Sequence, residues 1–380
     1  MCIRDRIRVS PQDPDVVFTV DQRVQKSTDG GVTWQTYTSF GHVDQHALWI
    51  DPENHDHVII GNDGSVDVSW DQGETWASLR TWAMGQPYHA SVDMRRPYYV
   101  CTGLQDNGSW CGPSSMRSGP IISEDWYGVG GGDGFYTQVD PTDHNIVFSE
   151  SQNGNVRRLN LATGEQQSIR PRLAGRQAPS NIRPAPPAGT TIRWNWNTPF
   201  MLSPHNPRTI FVGGNRLFIS RDRGDTYTMT EDLTKAIDPA SRHVMGLDYS
   251  LPRCEQISTR GQECILSHHD GVSMWGAITT VAESPIVPGL LWVGTDDGNI
   301  QVSQDGGATW TEVSRNIPGG TTEYYVSRVE ASWHDAATAF ASIDGHKSGD
   351  LKPYVYVTRD YGASWTDITG DLPEYGNVNT

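Results

Sequence analysis

The sequence predicts an all-β fold: a seven-bladed β-propeller of four-stranded antiparallel blades. Three observations carry that prediction. First, an octapeptide recurs five times, as STDGGVTW (Ser27–Trp34), SWDQGETW (Ser69–Trp76), SRDRGDTY (Ser220–Tyr227), SQDGGATW (Ser303–Trp310) and TRDYGASW (Thr358–Trp365). Its fixed points are a hydroxyl residue, Asp two later, Gly two after that and an aromatic three further on. Second, a common pattern stands upstream of each copy. It runs as an apolar strand, a Pro-bearing turn, a second apolar strand, a Gly/Asn/Asp turn and a third strand. Third, the 380 residues include 39 Gly and 23 Pro, with no long apolar run and no long amphipathic helix, so the chain reads as short strands punctuated by turns. A four-stranded unit of about 40–45 residues is a propeller blade, and radial repetition leaves only short, protected sheet edges.

The blades follow in order. RVSPQDPDVVFTV leads into the first octapeptide, WIDPENHDHVIIGNDGSVDVSWD into the second, LSPHNPRTIFVGGNRLFISRD into the third and AESPIVPGLLWVGTDDGNIQVSQD into the fourth. EASWHDAATAFASIDGHKSGDLKPYVYVTRD, with a longer middle turn, leads into the fifth. SVDMRRPYYVCTGLQDNGSW and QVDPTDHNIVFSESQNGNVRRL are two further copies without the octapeptide. The turn anchors are Pro11, Pro52, Pro97, Pro141, Pro204, Pro285 and His334, spaced 41 to 49 residues apart except before Pro204 and Pro285. The extra length falls in the Pro-rich RPRLAGRQAPSNIRPAPPAGTT and in residues 228–273. The predicted blades are 7–40, 41–82, 86–126, 132–170, 193–232, 275–315 and 324–370, in a single propeller of residues 7–380. Residues 1–6 read as a non-native or disordered leader. The tail DITGDLPEYGNVNT either closes the ring on the first blade or leads into another.

Each octapeptide falls between strands three and four, as a hairpin turn. Asp side chains accept backbone N–H bonds in such turns and Gly supplies positive φ. Asp29, Asp71, Asp222, Asp305 and Asp360 are therefore expected to be structural, and Asp305→Ala to lower the melting temperature.

The octapeptides resemble the Asp-box, or bacterial neuraminidase repeat (BNR), of sialidases, xyloglucanase-type glycoside hydrolases, sortilin-type receptors and photosystem assembly propellers. The resemblance runs from about Ile7 to Thr380. The stretches HALWIDP, GLQDNGSWCGPS, WNWNTPFMLSPHNPRTI and VSRVEASWHDAATAF resemble more particularly the secreted bacterial BNR-repeat proteins described as glycosyl hydrolase-like or sortilin (VPS10)-like. Sialidases carry an Arg-Ile-Pro near the start and a triad of arginines; the Arg-Ile-Pro and the Asp-bearing opening blade of xyloglucanases are not found here. The resemblance thus implies the architecture more than a reaction, since fold does not imply function.

The formal net charge of −16 argues against a nucleic-acid partner, whose phosphates need Lys and Arg. It suits a solvated surface, a neutral or basic partner or bound cations. Of five cysteines, Cys101 and Cys111 form one local pair and Cys254 and Cys264 another, each ten residues apart; Cys2 is left over. Without a C-x-x-C, disulfides in an oxidising compartment are the favoured reading, buried thiols the alternative. In YVCTGLQDNGSWC the turn centre is Asp106, with Cys101 and Cys111 five residues to either side. Antiparallel strands oppose such positions at a spacing a disulfide spans.

A ligand site is expected at the top face, where the innermost strands begin and the second turns return. GHVDQHALWI puts His42, Asp44 and His46 on one side of a strand by alternation, a trio that makes ordinary hydrogen bonds or holds a divalent metal. LQDNGSW offers Gln105, Asp106, Asn107 and Trp110, and QPYHASV offers Tyr88 and His89. GVGGGDGFYTQV offers Asp133 with Phe135 or Tyr136, and IRWNWNTPF offers Arg193, Trp194, Asn195 and Trp196. LSHHDGVSMWGA offers His268 and His269, and EYYVSRVEAS offers Tyr325 and Arg328. The tryptophans would stack on sugars or pack between blades. The expected role is that of a secreted protein, a monomer or part of a longer chain, that binds a glycan or polypeptide without cofactor or membrane span. The alternatives are a glycoside hydrolase using two of Asp44, Asp106 and Asp133, and a structural scaffold.

Overall fold

The computed structural model describes residues 6–37, 41–79, 85–175, 178–237, 243–244, 247–248, 251–252, 254, 262–264, 276–321 and 323–378. It is an all-β, seven-bladed propeller chain: seven four-stranded antiparallel sheets, each a simple meander in sequence order. Blade 1 comprises Arg6–Val9, Val17–Val20, Val24–Ser27 and Gln35–Tyr37; blade 2 comprises Gln45–Ile50, Val58–Asn62, Val66–Ser69 and Ala77–Ser78. Blade 3 comprises Pro87–Val92, Tyr99–Leu104, Gly108–Pro113 and Tyr127–Gly130; blade 4, Gly134–Val139, Ile146–Ser151, Asn155–Asn160 and Gln166–Ser168. Blade 5 comprises Phe200–Leu202, Ile210–Gly213, Leu217–Ser220 and Thr228–Met229; blade 6, Ile278–Glu283, Leu291–Thr295, Ile300–Ser303 and Thr311–Glu312. Blade 7 comprises Tyr325–Ala331, Ala339–Asp344, Pro353–Thr358 and Thr366–Asp367. A two-stranded hairpin, His243–Val244 with Leu247–Asp248, lies between blades 5 and 6 in sequence.

One hydrogen bond recurs in every blade and closes the Pro-bearing turn. The amides of Ser10, Asp51, Asp93, Asp140, Ser203, Ser284 and Ser332 donate to the carbonyls of Val16, His57, Tyr99, Ile146, Thr209, Leu290 and Thr338, at 2.8–3.1 Å. The seven repeats can therefore be superposed residue by residue around that bond.

The octapeptide turns share one further network. In the first, Ser27 Oγ donates to Asp29 Oδ1 (2.7 Å) and accepts from Gly31 N (2.8 Å), while Thr33 donates from N to Oδ1 (2.8 Å) and from Oγ1 to Oδ2 (2.6 Å). The same four bonds recur around Asp71, Asp222, Asp305 and Asp360. Two successive left-handed residues make the turn, Gly306 (φ 74°) and Gly307 (φ 90°) in blade 6 for example. In blades 6 and 7 packing also requires the second to be Gly: a Cβ on Gly307 would lie 2.8 Å from Ile219 Cδ1 of blade 5, and one on Gly362 2.7 Å from Val313 Cβ of blade 6. The closing aromatic joins the same seam, since Trp365 Nε1 of blade 7 donates to Val313 O (3.2 Å).

The chain divides into two compact units. The first runs to Gln86 and includes the turn Leu104–Asn107. Its core, Phe18, Val20, Val24, Leu48, Val58 and Ile60 among others, packs blade 1 on blade 2. Burial of such side chains stabilises by about 1.5–3 kcal/mol each. The second unit comprises Pro87–Gly103 and everything from Gly108. Its cores lie at the successive seams: Val129 with Val147, Phe148 with Phe218, Phe211 with Leu291, and Trp292 with Tyr356. Blade 3 has no octapeptide; a 3-10 turn at Ser123–Asp125 precedes its fourth strand. Cys101 and Cys111 are disulfide-bonded with Cα atoms 4.1 Å apart, and Cys254 and Cys264 with Cα atoms 4.9 Å apart. Cys2 lies outside the described residues. In the tail, Val378 O accepts from Ser327 Oγ of blade 7 (2.8 Å). No helix among the described residues is long and apolar enough to cross a membrane.

Candidate functional site

In the first unit, strand alternation does not organise His42, Asp44 and His46 as the sequence suggests. The blade 2 strand begins only at Gln45, Asp44 is left-handed (φ 64°), and the register shifts between Gln45 and Ala47. The three side chains accordingly go to different partners. His42 Nε2 meets Asp106 O (2.7 Å), and its ring lies over Gly64, where a Cβ would come within 2.5 Å. His46 Nε2 pairs with Asp63 Oδ1. Asp44 joins Asp63 and Asp106, the three presenting carboxylate oxygens within 4.8 Å of one another. That trio, rather than the histidines, could hold a cation. Asn107 Nδ2 donates to Asp63 O (3.1 Å) and Gln105 N to Gln86 O (3.0 Å), so Gln105, Asp106 and Asn107 are tied into this unit.

In the second unit, blades 3, 4, 6 and 7 and the segment that precedes blade 5 send polar side chains into one network. His89 (blade 3) stacks on Tyr136 (blade 4) with ring centroids 3.9 Å apart. Burial, helped by the charge of Arg328 (blade 7), brings the imidazole down to about 4, so it is neutral at neutral pH. Burial pushes the Tyr136 phenol up to about 12. Tyr325 is raised as well, by burial and then by Asp296, and Lys347 Nζ lies 4.4 Å from its ring centroid. Asp296, 2% exposed in the second turn of blade 6, accepts from Gly276 N (2.8 Å) and Ala277 N (2.9 Å). Burial dominates over those bonds and, with the neighbouring Asp297, raises it to about 7. Asn195 Nδ2 reaches its other oxygen at 3.5 Å. Burial lowers Lys347, against the opposing pull of Asp296 and Asp344. Glu150 is fully buried and pushed well above the carboxylate range. The amides of Tyr136, Thr198 and Gly154 face its carboxyl group, but neither oxygen completes a hydrogen bond of good geometry.

Other predicted residues have structural surroundings. Asp133 accepts from Gln152 Nε2 (2.8 Å), and Tyr88 packs on buried Phe135. Residues 193–196 precede the first strand of blade 5, which starts at Phe200. Arg193 is clamped by Gly276 O (3.0 Å), Asp232 Oδ2 (3.0 Å) and Thr234 Oγ1 (3.1 Å). Trp194 is core, against Phe218 and over Gly154. Trp196 and Trp110 are exposed. His268 and His269 lie outside the described residues.

A cleft with a volume of about 210 Å³ opens in the second unit, along the first strands of blades 4 to 7. Tyr136, Gln138, Glu283, Arg328, Glu330 and Trp333 give it its polar and aromatic lining. Pro204, Pro285 and Trp333 belong to the Pro-bearing turns, so the cleft opens at the opposite end of these strands from the expected mouth. Tyr136 and Arg328 join it to the buried network. Arg328 Nη2 bridges Glu330 Oε2 (3.0 Å), and Trp333 is 70% exposed. Sequence reasoning singled out Arg328, named Tyr136 as one of two alternatives, and missed Asp63, Glu150, Asp296, Lys347 and Trp333. Trp333 carried a signal, standing where five other blades have the turn proline.

No family model matches the chain. Over 95 residues it is 30% identical to the oligoxyloglucan-reducing end-specific xyloglucanase of Emericella nidulans, a match covering 25% of this chain and 11% of that protein. The GH74 enzyme of Niastella koreensis is 18% identical with a TM-score of 0.27, over 96% of this chain and 56% of that one. Sqt1 of Saccharomyces cerevisiae is 15% identical with a TM-score of 0.44, over 98% of this chain and 87% of that one. These likenesses are too distant to fix a family.

Proposed function

We propose that this chain is a secreted Asp-box propeller that binds a glycan, and that the cleft along the first strands of blades 4 to 7 is its binding surface. The observation that carries the reading is the lining. An exposed indole and a phenol stand beside a guanidinium, two carboxylates and an amide. Sugars present C–H faces and hydroxyl edges together, and recognition sites pair an apolar wall with a few placed polar groups. The two disulfides fit an oxidising compartment.

The test is a glycan-array screen followed by titration calorimetry. Trp333→Ala should weaken binding roughly three- to tenfold, the size of one lost aromatic contact, without lowering the melting temperature. Unchanged affinity in Trp333→Ala and Arg328→Ala would move the site elsewhere.

Glycoside hydrolysis is the second reading. The short match to a xyloglucanase favours it, and so does Asp296, whose carboxyl keeps a proton near neutral pH as a general acid must. Retaining hydrolysis needs two carboxyls about 5–5.5 Å apart; Asp44 and Asp106 present oxygens within 4.8 Å of each other, with Asp63 as near to both. Reducing-sugar release that is abolished in Asp296→Asn would establish hydrolysis; binding without release leaves the chain a lectin-like module.

A further inference from the structure

On blade 2, Trp49, His57 and Trp70 form an exposed aromatic group that neither the core nor the cleft uses. The His57 imidazole lies flat on the Trp70 indole, with centroids 3.7 Å apart and planes 6° from parallel. Trp49 meets the same imidazole edge-on at 5.5 Å and 86°. Asp51 Oδ2 lies 3.3 Å from His57 Nδ1 and fixes the ring's orientation. Trp70 remains 65% exposed although His57 covers one of its faces, so the opposite face is open to solvent; Trp49 is 46% exposed.

The repeats supply an internal control. The turn-closing hydrogen bond puts Trp49 in register with Arg8, Ser91, Gln138, Met201, Ala282 and Glu330 of the other blades. Trp70, the second octapeptide residue, corresponds to Thr28, Arg221, Gln304 and Arg359. The fold therefore asks for an aromatic at neither position. His57 stands where the other blades have Val16, Tyr99, Ile146, Thr209, Leu290 and Thr338. Single exposed tryptophans are ordinary. Two of them, at positions that are non-aromatic in all six other blades for Trp49 and in all four other octapeptides for Trp70, converging on one oriented imidazole, are a built surface.

We infer that Trp49, His57 and Trp70 form a stacking platform for the pyranose rings of a neutral glycan. A flat, open indole face matches the C–H face of a sugar ring, and the Asp51 carboxylate at the rim is an acceptor for its hydroxyls. The same carboxylate and the net charge of −16 disfavour polyuronates and nucleic acid. The platform shares the glycan reading with the cleft but no residue with it, so each can fail alone.

The experiment is affinity electrophoresis of the full chain in gels containing xyloglucan, mixed-linkage β-glucan or mannan, with polygalacturonate and a basic polypeptide as comparison probes. The variants are Trp70→Gln, Trp49→Ala and Trp333→Ala. Trp70→Gln installs the residue that the blade 6 turn already carries at this position, so folding is preserved, and melting temperature checks it. A neutral glycan should retard the wild type and Trp333→Ala, and the dissociation constant should rise roughly three- to tenfold in Trp70→Gln. Three results would overturn the platform: equal retardation of Trp70→Gln and wild type, retardation confined to polygalacturonate or the polypeptide, or none by any neutral glycan. If Trp333→Ala abolishes all retardation while Trp70→Gln abolishes none, the cleft reading stands and the platform falls.

Discussion

Carboxyl groups in this chain are pushed in opposite directions, and the sign of each shift sets its pH window. Hydrogen bonds from Thr33 and Ser27 hold Asp29 at about 2, and those from Thr309 and Ser303 hold Asp305 at about 2. Their folded values lie below the unfolded 3.8. The stability they contribute is present above about pH 4 and is lost as pH falls toward about 2. Asp296 is the reverse case. Burial raises it from 3.8 to about 7, so its contribution is complete below about pH 4 and is lost as pH rises through about 7. A shift of that size on a buried acid corresponds to a penalty of the order of 4 kcal/mol once it is ionised. Asn in its place would keep the acceptor for Gly276 and Ala277 and carry no charge. Melting curves of Asp296→Asn and wild type should therefore diverge between about pH 5 and pH 8, the variant gaining on the alkaline side. Parallel curves would show that Asp296 is already ionised in the folded chain throughout that range, so that burial does not raise it. Nothing in TDDG announces this behaviour, because the four letters are ordinary turn chemistry. Asp296 becomes unusual only when its turn is sealed by Gly276, Ala277 and Asn195, residues far away in sequence.

At the scale of the element, the octapeptide turn makes a sharp prediction. Asp222→Ala would orphan the Thr226 amide and hydroxyl and the Ser220 hydroxyl. Its cost is about 1–3 kcal/mol, read as a lower midpoint in urea, with glycan affinity unchanged because the turn does not touch the cleft. Lost binding in a variant of unchanged stability would reverse that assignment. The hairpin Cys101–Cys111 is equally definite: peptide mapping without reductant should return Cys101 linked to Cys111 and Cys254 to Cys264, and free thiols at either pair would contradict the oxidised state. These elements were legible because each is local. Turn chemistry, strand alternation and a symmetric cysteine spacing all act within about ten residues. The entrances to the first strands were less legible. IRWNWN reads as a strand start, yet Arg193 is used up on Gly276, Asp232 and Thr234, and Trp194 in filling the seam between blades 4 and 5. His42 and Asp44 were placed on one strand face, but both precede the strand and Asp44 is left-handed, so His42 meets the Asp106 carbonyl while Asp44 lies with the carboxylates of Asp63 and Asp106. Side-chain direction at such bends depends on backbone angles that the sequence does not declare.

For the whole molecule, charge is the property that integrates over every blade. The chain has 45 acidic and 29 basic residues, and its isoelectric point is about 5.1. The cleft escaped sequence reasoning for a related reason: Gln138, Glu283, Arg328, Glu330 and Trp333 come from three different blades and meet only where their first strands and Pro-bearing turns come together. Near pH 8 the unpaired negative charges repel one another across the folded surface. The surface ion pairs that oppose this, Arg158–Asp225 and Arg328–Glu330 among them, are worth about 0–1 kcal/mol each. Salt weakens both effects, but sixteen excess charges outweigh a few exposed pairs. Raising NaCl from about 10 mM, with a screening length of about 30 Å, to about 0.1 M, with one of about 10 Å, should therefore raise the melting temperature at pH 8. Near pH 5, at the isoelectric point, the net charge approaches zero, so the same salt step should leave the melting temperature flat or lower it slightly. Differential scanning calorimetry over the two pH values and two salt concentrations reads this directly. An equal gain at both pH values would mean that the salt acts on hydration of apolar surface, and that the acidic excess does not govern the stability of this propeller.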